Sequence, residues 1–370
     1  MRGSFAAVRT TTRQQVLAFR VSAQQLDRAS GTVADTAVLD VGVQDTGPDG
    51  ARWALAVRGL VDPAPEELVT AWTVRASPHV YRRADLPLVA AATSPWSDAD
   101  AAKRIFDAAK PLKEAGIGAL AALDTVAAAL RTVVTAPTVK GDASGRLATL
   151  LPEPYQRDCV PCGVRHVYEL PFRLAALRAG LELQPGTSPP VLLPVPGLVA
   201  ADRVDPRVDV VRGYLRMFGP ATPQHVAGYL DAPVREVRAR WPADAVEVRL
   251  DHEQCWLLAG DEDRLGANPP RVVRLLGPYD LYVQGRDRAL LTDDPARAKA
   301  LWPVLGRPGA VLLDGELAGT WRPRSASRSL TVQLVLWVPS TAVLRAAIDE
   351  QAERLAAFRG VRLAGVVLAE

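Results

Sequence analysis

Apolar residues recur at helical spacing through Val208, Val211, Leu215 and Phe218, which predicts one helix with a buried face. Gly219-Pro220 stops it. Thr222 before Pro223 reads as an N-cap with proline in the first helical position. A second short helix carries Val226, Ala227 and Leu230, Asp231 to Pro233 turns, and a third helix opens with Val234, Val237 and Trp241. Val246, Val248 and Leu250 then alternate with charged residues. Asp251 to Glu253 turns the chain, and Cys255 to Leu258 returns as the second arm of a hairpin. Three helices followed by a hairpin is the order of a winged helix-turn-helix, whose third helix lies in the DNA major groove. Here that helix exposes Arg235, Arg238 and Arg240 among its apolar positions.

Upstream the pattern is weaker but comparable. Thr12 to Arg28 is predicted helical, with Val16, Leu17, Phe19 and Leu26 as its apolar face. Val38, Leu39, Val41 and Val43 run into Gln44-Asp45-Thr46, ahead of the turn Gly47-Pro48-Asp49-Gly50. Arg52 to Arg58 fits a helix or a strand, and Pro63 to Trp72 begins as a helix does. Val74 and Val80 bracket a basic turn with Arg75, His79, Arg82 and Arg83, again in the position of a wing. Ser97-Asp98 caps a helix reaching Ala109, and Leu123 to Val134 forms another. LRTVVTAPT from Leu130 matches LRMFGPAT from Leu215, each ending in a threonine expected to cap, a repeat spaced by about 85 residues.

The predicted class is therefore α+β: three tandem winged helices followed by a small antiparallel β domain. The divisions fall at 1–96, 97–206, 207–268 and 269–370. Leu183 to Pro206 serves as an ordered linker. In the last part, short alternating strands from Arg271 precede an amphipathic helix, Pro339 to Phe358, and Val366 to Leu368 as a final strand.

Composition narrows the picture. The chain has 370 residues and a net charge of +3, so it is no polycation. Nearly all the positive charge is arginine, suited to phosphate forks and base edges, although a GC-rich genome gives the same bias. No apolar run is long enough for a signal core or a membrane span, so a cytoplasmic protein without a membrane partner is expected. Three cysteines are too few for a disulfide framework. There is no glycine-rich phosphate loop and no Gly-x-Ser-x-Gly, so neither ATP use nor serine hydrolysis is supported.

Several blocks together resemble the tandem winged-helix superfamily that includes AlkZ-like and YcaQ-like DNA glycosylases. They are Gln44-Asp45-Thr46 after VLDVGV; Trp72 to Leu86 with Arg75 and His79; FRLAALRAGLEL from Phe172; YLRMFGPAT; GPYDLYVQGRDR from Gly277 to Arg288; and VLLDGELAGTWRPR from Val311 to Arg324. The resemblance covers about 330 residues, with the last two blocks the most specific. It implies a concave channel for double-stranded DNA, alkylated or crosslinked, acted on by a bacterial monomer with no cofactor and no metal.

Active members carry Gln-x-Gln or Gln-x-Asp, which holds the water that attacks the glycosidic carbon. Here the triplet is Gln44-Asp45-Thr46, with threonine in the third place. A threonine hydroxyl accepts a hydrogen bond from water but is a poor base. The catalytic candidates are thus Gln44 to place the water, with Asp45 or Thr46 assisting; Asp45 serves as base only where the backbone turns it toward the channel, since in a strand it faces opposite to Gln44 and Thr46. The alternative is that the three only make a strand end and a turn.

The predicted DNA contacts are Arg75, His79, Arg82, Arg83, Arg235, Arg238, Arg286 and Arg288. His79 is equally a structural hydrogen-bonder, and Arg286 and Arg288 around Asp287 are either an ion-paired surface or a phosphate clamp. Asp280 is expected to fix a strand crossing. Cys159-x-x-Cys162-x-x-x-His166 has zinc-like spacing but lacks a fourth ligand, which favours structural cysteines. The reading is a DNA-binding protein resembling a DNA-repair glycosylase, the alternative being a non-catalytic winged-helix binder. A protein-binding scaffold is the third class.

Overall fold

The computed structural model describes residues 8–47, 49–160, 163–267, 270–326 and 328–369. Helices and four sheets give an α+β protein.

The segment with the clearest pattern folds as its periodicity predicts. Helices Val210–Phe218, Pro223–Leu230 and Val234–Arg238 precede the hairpin Ala245–Leu250 and Glu253–Leu258. The third helix is shorter than expected and stops before Trp241. Thr222 Oγ1 accepts from the His225 amide at 3.3 Å, so the predicted N-cap forms. The hairpin acquires a third strand from the chain's other end, because Arg9–Thr11 pairs in parallel with Val248–Leu250. Behind it, helix Arg13–Ala23 buries Val16, Phe19 and Ala23 against Val248, Leu250, Cys255 and Leu257.

Five upstream expectations need correction. Leu68–Trp72 is a strand; only Pro65–Glu67 is helical, as one 3-10 turn. Four of its five residues are buried, and the strand pairs with Pro78–Arg82. The helix from Ser97 ends at Arg104, and Ala109–Glu114 is a separate helix. Ala37–Asp40 is a 3-10 turn, so the strand carrying Gln44 is only Val43–Gln44. Thr138 caps nothing: it lies in strand Thr138–Val139, and its hydroxyl donates to Ala136 O at 2.7 Å. Leu183 to Pro206 is not simply a linker, because Val191–Pro194 is a strand between Leu181–Leu183 and Thr138–Val139. Arg52 to Arg58, open between helix and strand, is covered to Ala56 by helix Gly50–Ala56.

One six-stranded sheet thus joins the first half of the chain, crossing position 96, in the order 43–44, 78–82, 68–72, 181–183, 191–194, 138–139. The C-terminal sheet is not wholly antiparallel. Strands Val273–Leu276, Gly309–Leu313, Glu316–Ala326 and Ser329–Leu336 pair antiparallel, and Arg362–Leu368 pairs in parallel with Ser329–Leu336. Helix Ala342–Phe358 spans that crossover, and a helix is the usual way to join two parallel strands.

The cores are shared. Leu17, Val21, Trp53 and Val57 pack into the C-terminal sheet beside Leu275, Val311 and Trp321. Val38, Leu39 and Val43 pack with Val211, Leu215 and Phe218. A buried ion pair holds these layers: Arg58 donates to both Asp280 oxygens at 2.7 and 2.8 Å, with neither side chain exposed. Asp280, expected to fix a strand crossing, instead precedes the 3-10 turn Leu281–Gln284 and accepts from the Tyr282 amide at 2.9 Å. Among the described residues no helix is long and apolar enough to cross a membrane.

Candidate active site and nucleic-acid interface

The short strand Val43–Gln44 runs antiparallel to Pro78–Arg82, with Val43 opposite Val80 and Gln44 opposite His79. The alternation points Val43 into the core and turns Gln44 to the other face. Gln44 is buried. Its Nε2 donates to Thr46 Oγ1 at 3.0 Å, which joins the first and third members of the triplet.

Asp45 turns the other way. Its Oδ1 accepts from the Ala51 amide at 2.9 Å, at the start of helix Gly50–Ala56. Gly50 makes room for this: its φ is +43°, and a Cβ there would sit 2.0 Å from Asp45 Oδ1. The carboxylate is therefore a helix-start acceptor, occupied away from Gln44. Pro48, in the turn between them, lies outside the described residues.

Arg75 ties Gln44 to the distant C-terminal blocks. It sits in the tight turn between the two hairpin strands, with φ +56° at Arg75 and +52° at Ala76. Such left-handed values are strained for side chains other than glycine. From there its guanidinium donates to Tyr229 O at 2.7 Å and Gln284 Oε1 at 2.6 Å, with a longer approach of 3.4 Å to Gln44 Oε1. It also stacks 4.6 Å from the Tyr229 ring centroid. All these partners are neutral, so its positive charge spreads to its neighbours. His79 feels it: burial first, then Arg75, pushes the imidazole down to about 3. Its Nδ1 lies 2.9 Å from Ser77 O, while Nε2 is buried with no partner among the described residues. His79 is thus a neutral, structural neighbour of Gln44 and touches no surface.

Thr46 opens onto a cavity of about 210 Å³, walled by Gly277-Pro278-Tyr279, Arg307, Trp321 and Arg322. The two most specific resemblance blocks therefore meet at the triplet. Gly309 permits this wall, since a Cβ there would strike the Trp321 indole at 2.2 Å. The indole Nε1 instead reaches Leu276 O at 2.8 Å. Asp49 and Asp280 also line the cavity, but Arg359 and Arg58 bind them.

Four arginines crowd this side. Arg286 is lowered by burial and then by Arg75. Arg288 is lowered by burial, then by Arg286 and Arg307. Asp287 between them gives no relief, because its carboxylate accepts from Arg20. Arg307 stacks 5.1 Å from the Tyr279 centroid, and Arg322 is exposed. None of Arg286, Arg288, Arg307 and Arg322 has an ion pair among the described residues. Like charges left this close raise the local positive potential.

The remaining residues divide. Arg82 donates to Val33 O, Thr36 O, Asp40 and Asp85, and Arg83 to Glu66 O, Leu68 O and Glu182. Both are committed inside the protein. Arg235 is 75% exposed, and its one ion pair among the described residues is a 4.0 Å approach to Glu236. Arg238 is exposed on an open groove with His225, Trp241 and Trp256, a surface sharing no lining residue with the Thr46 cavity. Arg240 pairs with Glu236 at 3.0 Å and lies over Trp96. Cys159 and His166 belong to one hairpin, opposite Val164 and Arg157 rather than each other. Cys162 lies outside the described residues. Cys255 is a core residue whose thiol burial pushes up to about 12.

Gln284, Arg307 and Arg322 escaped the sequence reading. Gln284 and Arg322 sit inside the resemblance blocks, so their positions were marked although their roles were not. Arg307 lies in a loop with no periodic signal.

The family model described as "DNA glycosylase AlkZ-like" matches residues 41–358, from just before Gln44 to beyond Arg322. The solved structure of Streptomyces sahachiroi DNA glycosylase AlkZ is similar in fold, with a TM-score of 0.73 at 19% identity over 97% of this chain and 100% of that one. No curated protein matches the sequence. With the family match covering most of its length, triplet and cavity wall included, this chain belongs to the AlkZ-like DNA glycosylase family.

Proposed function

We propose that this protein binds duplex DNA against the arginines around the Thr46 cavity and hydrolyses the N-glycosidic bond of an alkylated or crosslinked base. One observation carries the reading. The Gln44 and Thr46 side chains are hydrogen-bonded to each other, and Thr46 opens onto a cavity bordered by arginines that lack carboxylate partners among the described residues.

N-alkylation places positive charge on a purine, so the leaving base needs no protonation. The chain then has two tasks: to place a water on the sugar and to stabilise positive charge developing there. Gln44 Oε1 and Thr46 Oγ1 are the acceptors for that water. Asp49 and Asp280, each bound by an arginine, supply negative potential at the wall but no free base. Arg75 and Gln284 hold Gln44 in place from behind. We assign Arg286, Arg288, Arg307 and Arg322 to phosphates, and give Arg82 and Arg83 no DNA contact. We read the segments ending in hairpins 68–82, 181–194 and 245–258 as tandem winged helices, the first lacking a full third helix. Within this reading the protein works as a monomer in the cytoplasm, without a cofactor.

The absence of a free base favours one rival, a binder that kept the channel and lost the chemistry. The test is a duplex containing N7-alkylguanine, scored for alkali-labile abasic sites. Wild type should give them. Gln44→Ala should lose about a hundredfold in rate, the ~3 kcal/mol of one positioned polar group, with DNA affinity nearly unchanged. Wild type that binds but leaves no abasic site across several lesions means the binder.

A further inference from the structure

Helix Pro295–Leu301 and strand Gly309–Leu313 are joined by a loop whose tip carries its apolar side chains outward. Val304 is 97% exposed and Leu305 85%. Neither packs into a core, and both ends of the loop are anchored. Trp302 Nε1 donates to Val283 O at 3.1 Å, and the Arg288 guanidinium lies 4.7 Å from the Trp302 ring centroid. On the other side, Arg307 lies over Tyr279 and lines the Thr46 cavity, followed by Pro308 and Gly309 in the same wall. Gly306, with φ +64°, makes the bend between the tip and Arg307. The tip is thus a small apolar point set between two arginines that lack ion pairs among the described residues, beside the cavity that holds Thr46.

That combination selects its partner. A protein surface with a hydrophobic socket would not need the like charges. A lipid surface would need a larger apolar face than two side chains, since membrane binding scales with buried apolar area. A DNA duplex is anionic outside and apolar between its base pairs, and proteins that distort DNA insert Leu, Ile, Phe or Met between base steps. We propose that Val304 and Leu305 form a wedge that enters the base stack next to the nucleotide presented to the Thr46 cavity, while Arg288 and Arg307 hold the flanking phosphates. This rests on the duplex-binding reading above. It adds how the stack is opened: the wedge fills the space left by the displaced base, so unstacking depends on the tip and affinity depends on the arginines.

The experiment uses a duplex with 2-aminopurine at several internal positions, whose emission rises on unstacking. Binding is followed in the same titration by the anisotropy of an end label. Wild type should raise the emission severalfold at saturation. The double variant Val304→Ser, Leu305→Ser should saturate with emission near that of free duplex, while its affinity falls less than about threefold because the phosphate contacts remain. Its melting temperature should match wild type, since neither side chain is buried. Leu305→Phe should retain the emission gain.

A serine variant that unstacks as wild type does, or a wild type that saturates without emission gain, overturns the wedge and leaves DNA binding standing. A wild type that does not bind duplex removes the binding reading and the wedge together. Tip-dependent flotation with anionic vesicles, without any emission change, overturns it in favour of a lipid surface.

Discussion

Arginine behaves in opposite ways in two regions of the molecule. At the base of the hairpin 68–82, Arg82 and Arg83 are consumed by main-chain carbonyls and by Asp40, Asp85 and Glu182. At the C-terminal wall, Arg286, Arg288, Arg307 and Arg322 have no ion pairs among the described residues, and two of them are lowered by burial and then by neighbouring arginines, Arg286 by Arg75 and Arg288 by Arg286 and Arg307. Arg82 and Arg83, like Arg286, Arg288 and Arg322, have another arginine within two residues and look alike in sequence. The difference lies in where the fold delivers its carboxylates. Asp40 and Asp85 come from elements adjoining the hairpin. Asp287, the acid nearest in sequence to the C-terminal set, is taken by Arg20 from the N-terminal helix. An arginine's availability is thus decided by a partner more than two hundred residues away as much as by its neighbours.

The inward-facing kind has an extreme in Arg58, and its loss should have the largest effect. Both members of the Arg58–Asp280 pair are fully buried, so Arg58→Ala leaves an unpaired carboxylate in the core. The expected cost is about 3–5 kcal/mol, read by chemical denaturation. A cost under about 1 kcal/mol would mean that Asp280 finds another partner or is not confined there.

Next comes the direct comparison of the two regions. Arg288→Ala with Arg307→Ala should flatten the log–log salt dependence of duplex binding by about 1.8, at unchanged stability, because each phosphate contact contributes about 0.9. Arg82→Ala should do the reverse, lowering stability by about 2–3 kcal/mol and leaving the salt slope alone. If Arg82→Ala changes the slope and the double variant does not, the assignment of the two regions is inverted.

How much of this was legible follows from the range of the forces involved. Helices Val210–Phe218 and Pro223–Leu230 were readable because periodicity, the Gly-Pro stop and the Thr222 cap are all local. Strand Leu68–Trp72 was not, because Pro65-Glu66-Glu67 is a genuine helix start that lasts one turn before pairing with Pro78–Arg82 takes over. The parallel strand Arg9–Thr11 had no local signal; its partners lie some 240 residues on. In the site, the alternation that turns Asp45 from Gln44 and Thr46 was readable, and the side chains follow it. That Arg75 would be clamped by Gln284 and Tyr229 was not, because only the shared core brings those elements together.

A smaller effect probes the field of Arg75. His79, pushed down to about 3 by burial and then by Arg75, stays neutral in the native protein, while the unfolded chain takes up a proton below about 6.5. Its contribution is complete above that value and is lost progressively as pH falls toward about 3. Between pH 7 and 5.5, wild type should lose roughly 1.3 kcal/mol more than His79→Asn, whose amide keeps the donor to Ser77 O. Equal losses in the two proteins would place His79 in contact with water.

The smallest expected effect is the most discriminating for chemistry. Asp45 is the one carboxylate inside the triplet, and a base would ordinarily be sought there. Its Oδ1 instead accepts from the Ala51 amide, in the space that Gly50 leaves open. Asparagine offers an oxygen of the same reach and caps about as well, so Asp45→Asn should shift stability by no more than about 0.5 kcal/mol. Base release should stay within about threefold of wild type, because in the proposed mechanism Gln44 and Thr46 hold the water and the cationic base leaves without proton transfer. Asp45→Ala removes the acceptor and should cost about 1 kcal/mol of stability with the same modest effect on rate. A collapse of activity in Asp45→Asn, with its stability intact, would make Asp45 the base after all. It would also require the helix start at Gly50 to release the carboxylate toward the cavity when DNA is bound.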